Sequence, residues 1–456
     1  VSHHDDSELL QDALATTGVT GASFAYWDGE RLHTAVAGLR NSVTRDPVTD
    51  DTLMHAGSIT KIMNTALLMQ LVDDGLVALE DPVVRHLPEL RIRDADALQR
   101  ITVQMLVNHT SGIDGDWVPE RGPDEERIVD AVEGCADLGQ LFQPGDATSY
   151  NNLATVIAGY LTQRLRGRSW YTLAAERIYA PLGMRHALVD PILVPRFRVS
   201  VGDLTDPVTG ELRQTTRPFL SPAFAPAGST QMSTASDLVT FGRAMIADGL
   251  GPNGARILSA ESARRMREPT AAFVEFPSSA VRVGLGWMVS PGGVVHHGGG
   301  GPGVDSHFYA HPESGRVAAL LTNCDRRAAL RAPVLDPIIR SWTGIAPSAV
   351  TRVADVDTRP YPGVYESVVD RYEVTATGNG LSLRETSKFD LYDNLDGTGA
   401  TAVTATLHAL GGDAFELESS RPGFTGGQIR FVHPEADGTF RYLASGARLL
   451  RRVESA

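Results

Sequence analysis

The sequence predicts an α/β protein in two parts: an antiparallel sheet flanked by helices with an all-helical subdomain, then a small antiparallel β-barrel. Three observations carry this. Strand-like runs near the start and near residues 283–322 enclose a long region of helical periodicity, the pattern of helices gathered on an antiparallel sheet. Beyond Pro360 helical periodicity stops, and about eight short strand candidates follow between Gly, Asp and Asn turns, which suits a closed barrel. A chain of 456 residues also exceeds what one core usually supports. The division is placed at 1–345 and 346–456, where Gly344-Ile345-Ala346-Pro347-Ser348 reads as a connection.

In chain order, runs 22–27 and 32–37 flank Asp28-Gly29-Glu30, a tight-turn signal, and predict an opening hairpin. Apolar side chains at Ile59, Ile62, Met63, Ala66, Leu67 and Leu71 then keep the spacing of a helix buried on one broad face, ended by Asp73-Asp74-Gly75. Further helices are expected at 153–165, 171–179 and 235–247, the last behind Ser233-Thr234 as capping residues. Strands at 283–289, 294–297, 306–310 and 317–322 return to pair with the hairpin, and a helix at 331–342 closes this part. Barrel strands are placed at 363–366, 372–377, 381–384, 402–407, 414–418, 428–432, 440–443 and 448–453.

Composition excludes some roles. Hydrophobic residues at 42 % and charged residues at 21 % describe an ordinary globular protein, and a net charge of −14 argues against nucleic acid or an anionic membrane as the main partner. Cys135 and Cys324 lie far apart without metal-ligand spacing, so neither a disulfide framework nor a zinc site is expected. The N-terminal Val1-Ser2-His3-His4-Asp5-Asp6 lacks the basic patch and apolar run of a signal peptide, and no later stretch is long enough to span a bilayer. A cytoplasmic location is the expectation.

The candidate chemistry begins at Ser58-Ile59-Thr60-Lys61, the first turn of the predicted central helix. Residues three apart share a helix face, which brings hydroxyl and amine within reach of each other. Unpaired N–H groups and the macrodipole at a helix N-terminus suit an oxyanion, and the same partial charge, with burial, lowers a lysine's pKa toward that of a base. A Ser with Lys three residues on arises by chance roughly once or twice in a chain of this length. Here, however, Lys61 and Lys388 are the only lysines among 41 basic residues. A lysine kept on an apolar helix, where arginine's fixed charge could not act as a base, points to function.

Two more stretches could complete a site. In Ser149-Tyr150-Asn151-Asn152, Tyr150 and Asn152 project to one side if the backbone is extended, offering a phenol for proton transfer and an amide for a substrate amide. Taken alone, the stretch reads more readily as a helix cap beside a packed tyrosine than as a site. In His296-His297-Gly298-Gly299-Gly300-Gly301, glycines at the end of a predicted strand let a backbone edge approach a ligand and present N–H groups to it. Adjacent histidines on a strand face opposite sides, so a shared metal is not expected.

Read together as S-x-x-K, Y-x-N and H-x-G (His297-Gly298-Gly299), in this order and spacing, the three stretches resemble the serine β-lactamase-like superfamily. This is the fold of class C β-lactamases, low-molecular-weight penicillin-binding proteins and related esterases and D-specific peptidases. Asn108-His109-Thr110-Ser111-Gly112, Pro181-Leu182-Gly183-Met184, Ala227-Gly228 and Gly284-Leu285-Gly286-Trp287 are similar to its secondary landmarks, and the resemblance covers roughly residues 10–342. It implies an acyl-enzyme mechanism with no cofactor and no metal. Ser58 attacks a carbonyl, Lys61 and Tyr150 relay its proton and protonate the leaving group, and the N–H groups of Ser58 and Gly300 form the oxyanion hole. Gly299 and Gly300 line the substrate, and Asn152 holds the amide of the acyl side chain. His297 stands where β-lactamases carry the lysine of K-T-G, placed to polarise Tyr150 or to bind substrate. The doubled histidine leaves the register open by one, and His297 is preferred because it keeps His-Gly-Gly.

The H-x-G form looks more like esterases, D-aminopeptidases and amidases than like efficient β-lactamases. A lipocalin-like barrel after such a core is similar to D-aminopeptidase-like enzymes and to penicillin-binding-protein-type thioesterases, which release and cyclise nonribosomal peptides. The resemblance therefore implies a peptidyl thioester or other small peptidic acyl substrate with a D-residue at the acyl position, and a carrier protein of a peptide synthetase as partner. Arg448, Arg451 and Arg452 on the last barrel strand are candidates for binding a carboxylate. The alternatives are a D-amino-acid amidase or an esterase of the same fold and, least favoured, a catalytically silent penicillin-binding-like sensor. Substrate choice is expected to reside in loops 115–127 and 191–226.

Overall fold

The two ends of the first part of the chain meet in the middle of one antiparallel sheet. The computed structural model describes residues 6–116, 127–206, 209–326, 328–346, 349–354, 356–378, 380–388, 402–419 and 425–454. Nine strands among them run in the order Asp46–Pro47, Leu32–Asn41, Gly21–Trp27, Arg316–Thr322, Val304–His311, Val295–Gly301, Met288–Val289, Arg282–Val283 and Ala271–Ala272. The opening hairpin forms as expected, and Asp28 closes its turn by accepting the N–H groups of Glu30 and Arg31 at 2.8 and 2.9 Å. Gly21–Trp27 then pairs with Arg316–Thr322, Ala22 opposite Thr322 and Trp27 opposite Val317.

Both faces of that central pair are covered, which is why its strands read as continuous apolar runs. Val317, Ala319 and Leu321 face one core with Leu238 and Phe241, whereas Ala318 and Leu320 face a second core with Leu10, Leu14 and Leu335. The second core draws on a helix, Asp6–Thr17, that the sequence reading left out. Only Leu10, Ala13 and Leu14 are buried on it, too few to announce a helix by periodicity. The expected strand 283–289 is also corrected. It is two short strands, Arg282–Val283 and Met288–Val289, joined by a turn in which Gly286 has φ +73° and Leu285 and Trp287 are fully buried. A Cβ on Gly286 would lie 2.5 Å from Thr65 Oγ1, so this turn rests directly on the central helix.

The central helix, Thr60–Asp73, follows a single 3₁₀ turn, Gly57–Ile59, that contains Ser58. Every residue from Thr60 to Leu71 is buried, so the helix is enclosed on all sides instead of one face. Its polar side chains find partners inside the protein, except that Gln70 Oε1 has none among the described residues. Asn64 donates to Thr155 O at 3.0 Å and accepts Trp170 Nε1–H at 2.8 Å, Thr65 donates to Lys61 O, and Gln70 donates to Ile257 O. Each fully buried Leu, Ile or Met contributes about 1.5–3 kcal/mol relative to exposure, which makes this helix a rigid mount for whatever its first turn carries. Around it lie Asn152–Arg166, Trp170–Ala174 continuing through a wide turn at Ala175–Tyr179, and Ala235–Ile246, which Thr234 caps by accepting the Asp237 N–H.

The C-terminal part is a closed, eight-stranded antiparallel barrel running from Gly363–Glu366 to Arg448–Val453. All eight strands contribute to its packed interior, where Tyr361 lies 4.9 Å from Phe415 and 4.8 Å from Phe431. Such a filled barrel is a scaffold more than a container. Among the described residues, no helix is long and apolar enough to cross a membrane.

Candidate active site

Three backbone segments converge on Ser58, and each can do so only because it lacks a side chain. Gly57 has φ +55°, and a Cβ there would lie 2.8 Å from Gly300 N. Gly228, at φ +111°, would place a Cβ 2.1 Å from Gly57 O and 2.9 Å from Ser58 N, and one on Gly299 would meet Ala56 O at 2.1 Å. The Ser58 and Gly300 amides thus come together at one spot. Gly300 itself is exposed, with nothing within 4 Å of its missing side chain, which leaves the cleft open there. His55 braces the turn by accepting Gly57 N–H at Nδ1 (2.9 Å) and reaching Ser229 O through Nε2.

Ser58 is partly exposed, whereas Lys61 is 1 % exposed. Lys61 Nζ lies 2.9 Å from Ser58 Oγ, donates to Ala227 O at 2.6 Å, and sits 4.8 Å from the centre of the Tyr150 ring. Burial pushes its pKa well below the ordinary lysine value. The negative charge of Asp116 opposes that shift, and Arg448 adds to it. A neutral amine spends one N–H on Ala227 O and keeps its lone pair for the Ser58 hydroxyl.

Asn151, not Asn152, caps helix Asn152–Arg166, accepting Ala154 N–H at 2.8 Å. Asn152 opens the helix with its backbone N–H bound to Asp116 Oδ1, and its side-chain amide is not used in capping. Behind this loop, His109 holds a left-handed backbone (φ +64°), lies with its ring 4.6 Å from that of Tyr150 at a 40° tilt, accepts Asn151 N–H at Nδ1, and takes Ser149 N–H at its carbonyl. In front lies the barrel. Ala447 O accepts Tyr150 N–H at 2.8 Å, and Arg448 stands 4.9 Å over the Tyr150 ring with its Nε on Asp116 Oδ2. Of the three candidate arginines on the last barrel strand, Arg448 is the one whose described contacts lie at this site. Arg452 binds Pro362 O and lies over Tyr365, and Arg451 is exposed. Loop residues 117–126, part of the segment expected to set specificity, lie outside the described residues.

Strand alternation settles which histidine meets the cleft. His297 lies 6.0 Å from Tyr150, while His296 turns to the other face, stacking on Tyr309 and bonding Ser290. His297 Nδ1 is 2.6 Å from Gly298 O, a pure acceptor, so Nδ1 carries the proton. In the neutral ring Nε2 is then an acceptor, and it is buried without a partner among the described residues. Burial first, then the positive charge of Lys61, depress this imidazole to about 3, so the third element presents a neutral acceptor and not a cation.

These histidines carry a stability consequence. His296 and His297 are both pushed by burial to about 3, and burial also holds His109 well below the ordinary histidine value of 6.5. As pH falls below about 6.5 the unfolded chain takes up protons that the folded chain refuses, so stability is lost progressively toward pH ~3. Thermal midpoints measured by circular dichroism are expected to fall steadily across this window. His296→Gln, away from the cleft, should make the fall shallower.

The fold and the site define the class: the chain is a serine hydrolase of the β-lactamase and penicillin-binding-protein fold. It belongs to the β-lactamase family, whose model matches residues 7–338. Among its relatives, penicillin-binding protein 4 of Amycolatopsis lactamdurans is 33 % identical over 373 residues, covering 78 % of this chain and 95 % of that protein. Of solved structures, SurE with D-Leu matches with a TM-score of 0.73 at 25 % identity over 98 % of both chains, so the likeness includes the barrel. D-amino acid amidase from Ochrobactrum anthropi SV3, complexed with L-phenylalanine amide, matches with a TM-score of 0.59 at 26 % identity, covering 74 % of this chain and 98 % of that one.

Proposed function

We propose that this chain is a penicillin-binding-protein-type thioesterase that releases and macrocyclises a nonribosomal peptide through a D-residue acyl-enzyme. The observation that carries the reading is a Ser58, Lys61 and Tyr150 cluster whose third element is a neutral histidine and whose outer wall is a barrel hairpin bonded to Tyr150 itself. Neutral Lys61 takes the Ser58 proton as Oγ attacks the thioester carbonyl of a peptide presented on a carrier protein. The oxyanion forms against the N–H groups of Ser58 and Gly300. Collapse breaks the C–S bond, and the proton reaches the departing sulfur through Tyr150, while His297 Nε2, which has no partner among the described residues, is left to accept a hydrogen bond from the bound substrate. The peptide's own amine then attacks the Ser58 ester, forming the C–N bond, breaking the C–O bond and returning a proton to Ser58. Asn152 offers its amide to the acyl residue, the Gly299–Gly300 edge lines it, and Arg448 supplies positive charge at the outer wall.

Two likenesses support the D-residue: to SurE with D-Leu along the whole chain, and to D-amino acid amidase over three quarters of it. The second also favours an alternative reading, a D-amino-acid amidase or esterase acting on short substrates. One experiment separates them. A synthetic peptidyl thioester ending in a D-residue, beside its L-epimer, is expected to yield cyclic peptide from the D-form alone by mass spectrometry. Linear acid as the sole product, or faster turnover of short D-amino-acid amides, would replace the cyclase reading with the hydrolase one.

A further inference from the structure

We infer that Asp116 is a positioning residue for the reaction: it locks a barrel hairpin against Tyr150, making barrel and hydrolase core one reaction centre. The inference rests on the reading of Tyr150 as a proton relay. The Asp116 side chain is 10 % exposed and accepts two bonds, Asn152 N–H at Oδ1 (2.8 Å) and Arg448 Nε–H at Oδ2 (2.5 Å). It therefore ties the first residue of a rigid, buried helix to the first residue of the last barrel strand. Charge-assisted bonds of this kind are short and directional, and an Arg held through Nε has its guanidinium plane fixed. Here that plane stands over the Tyr150 ring.

The neighbours of Arg448 act in the same place. Ala447 O takes Tyr150 N–H at 2.8 Å, and Leu449 N–H donates to Ser149 Oγ at 3.0 Å. Three consecutive barrel residues thus grip two consecutive loop residues, with Gly446 (φ +54°) making the turn that brings them there. The seam beside this grip is not packed continuously. A cavity of about 310 Å³, lined among others by Thr110, Thr148, Phe273, His433 and Leu449, lies behind the loop. A buried apolar cluster of Leu141, Phe142, Tyr442, Ala444 and Leu449 holds barrel and core together farther along the seam, so the directed bonds at the loop serve to orient Tyr150, and Asp116 supplies one that a side-chain change can remove without altering the backbone.

Misplacing a proton-transfer group by a fraction of an ångström costs rate chiefly where the leaving group needs its proton. The full-length enzyme is therefore assayed with a p-nitrophenyl ester and a methyl ester of the same N-acyl D-residue. Asp116→Asn is expected to lower kcat about 30-fold on the methyl ester but only about 3-fold on the p-nitrophenyl ester, with KM changed less than about 2-fold. Arg448→Gln, which removes the same bond from its more exposed side, should show the same bias, and the double variant should be no worse than the more damaging single. Equal losses on the two esters, or additive losses in the double variant, would overturn the inference. Tyr150→Phe is run beside them. If it lacks the leaving-group bias, the relay reading fails; if it has the bias and Asp116→Asn does not, only the positioning role fails. Thermal midpoints confirm that each variant is folded.

Discussion

Ser58→Ala is expected to end covalent capture of every acyl donor and to lower turnover by about 10⁴-fold or more. The change is well isolated. Ser58 lies in a short turn whose position is set by Gly57, His55 and the glycine contacts around it, none of which uses the hydroxyl. The Ser58 N–H, the Gly300 edge and the Asn152 amide all remain, so the cleft should still bind its substrate, with dissociation constants changed only a few-fold while the chemical step disappears. Intact-protein mass spectrometry after incubation with a fluorophosphonate, a β-lactam and a peptidyl thioester reads the result directly. A mass increase that survives in the alanine variant would mean that another residue is the nucleophile and that the oxyanion site described above is misassigned.

The chemistry was more legible in the sequence than its mounting. S-x-x-K, Y-x-N and H-x-G are short local patterns, and each names residues whose spacing already constrains geometry. Lys61 stood out because arginine fills nearly every other basic position. The barrel was legible too, since eight strands divided by turn residues leave few other closures. What escaped the reading depends on contacts between distant segments. His55, the Ala227 carbonyl, His109 and Asp116 hold the site from four separate places in the chain, and only Ala227 and His109 fell within recognised landmarks. Asp116 lies in loop 115–127, which the sequence marks for substrate choice, but nothing local sets it apart within that loop, because its value comes from meeting a barrel residue more than three hundred positions away. The central helix misled for a related reason. Asn64, Thr65 and Gln70 imitate solvent-facing positions until their partners are known: Thr155 and Trp170 on other helices, Lys61 O one turn back, and Ile257 O in a connecting segment.

Lys61→Arg is expected to be nearly as damaging as Lys61→Ala, each lowering kcat about 10³-fold or more, although arginine keeps length and charge. The reason lies in the protonation state. Lys61 is enclosed, bonded to a backbone carbonyl and without a direct carboxylate partner among the described residues, so burial depresses its pKa and the neutral amine is the form that accepts the serine proton. A guanidinium cannot lose its proton in this environment, and forcing it into the site buries an uncompensated charge. In the wild type the sign is opposite to that of a catalytic cation: kcat/KM should rise with pH as Lys61 deprotonates, with a midpoint well below the ordinary lysine value. His297, already neutral above about 3, adds no second rise in that range. Rates on an activated D-residue ester across pH 5 to 10, at constant ionic strength, test both statements at once. Substantial activity in Lys61→Arg, or a wild-type rate that falls as pH rises through neutrality, would show that the lysine acts as a charge and would pass the role of base to Tyr150.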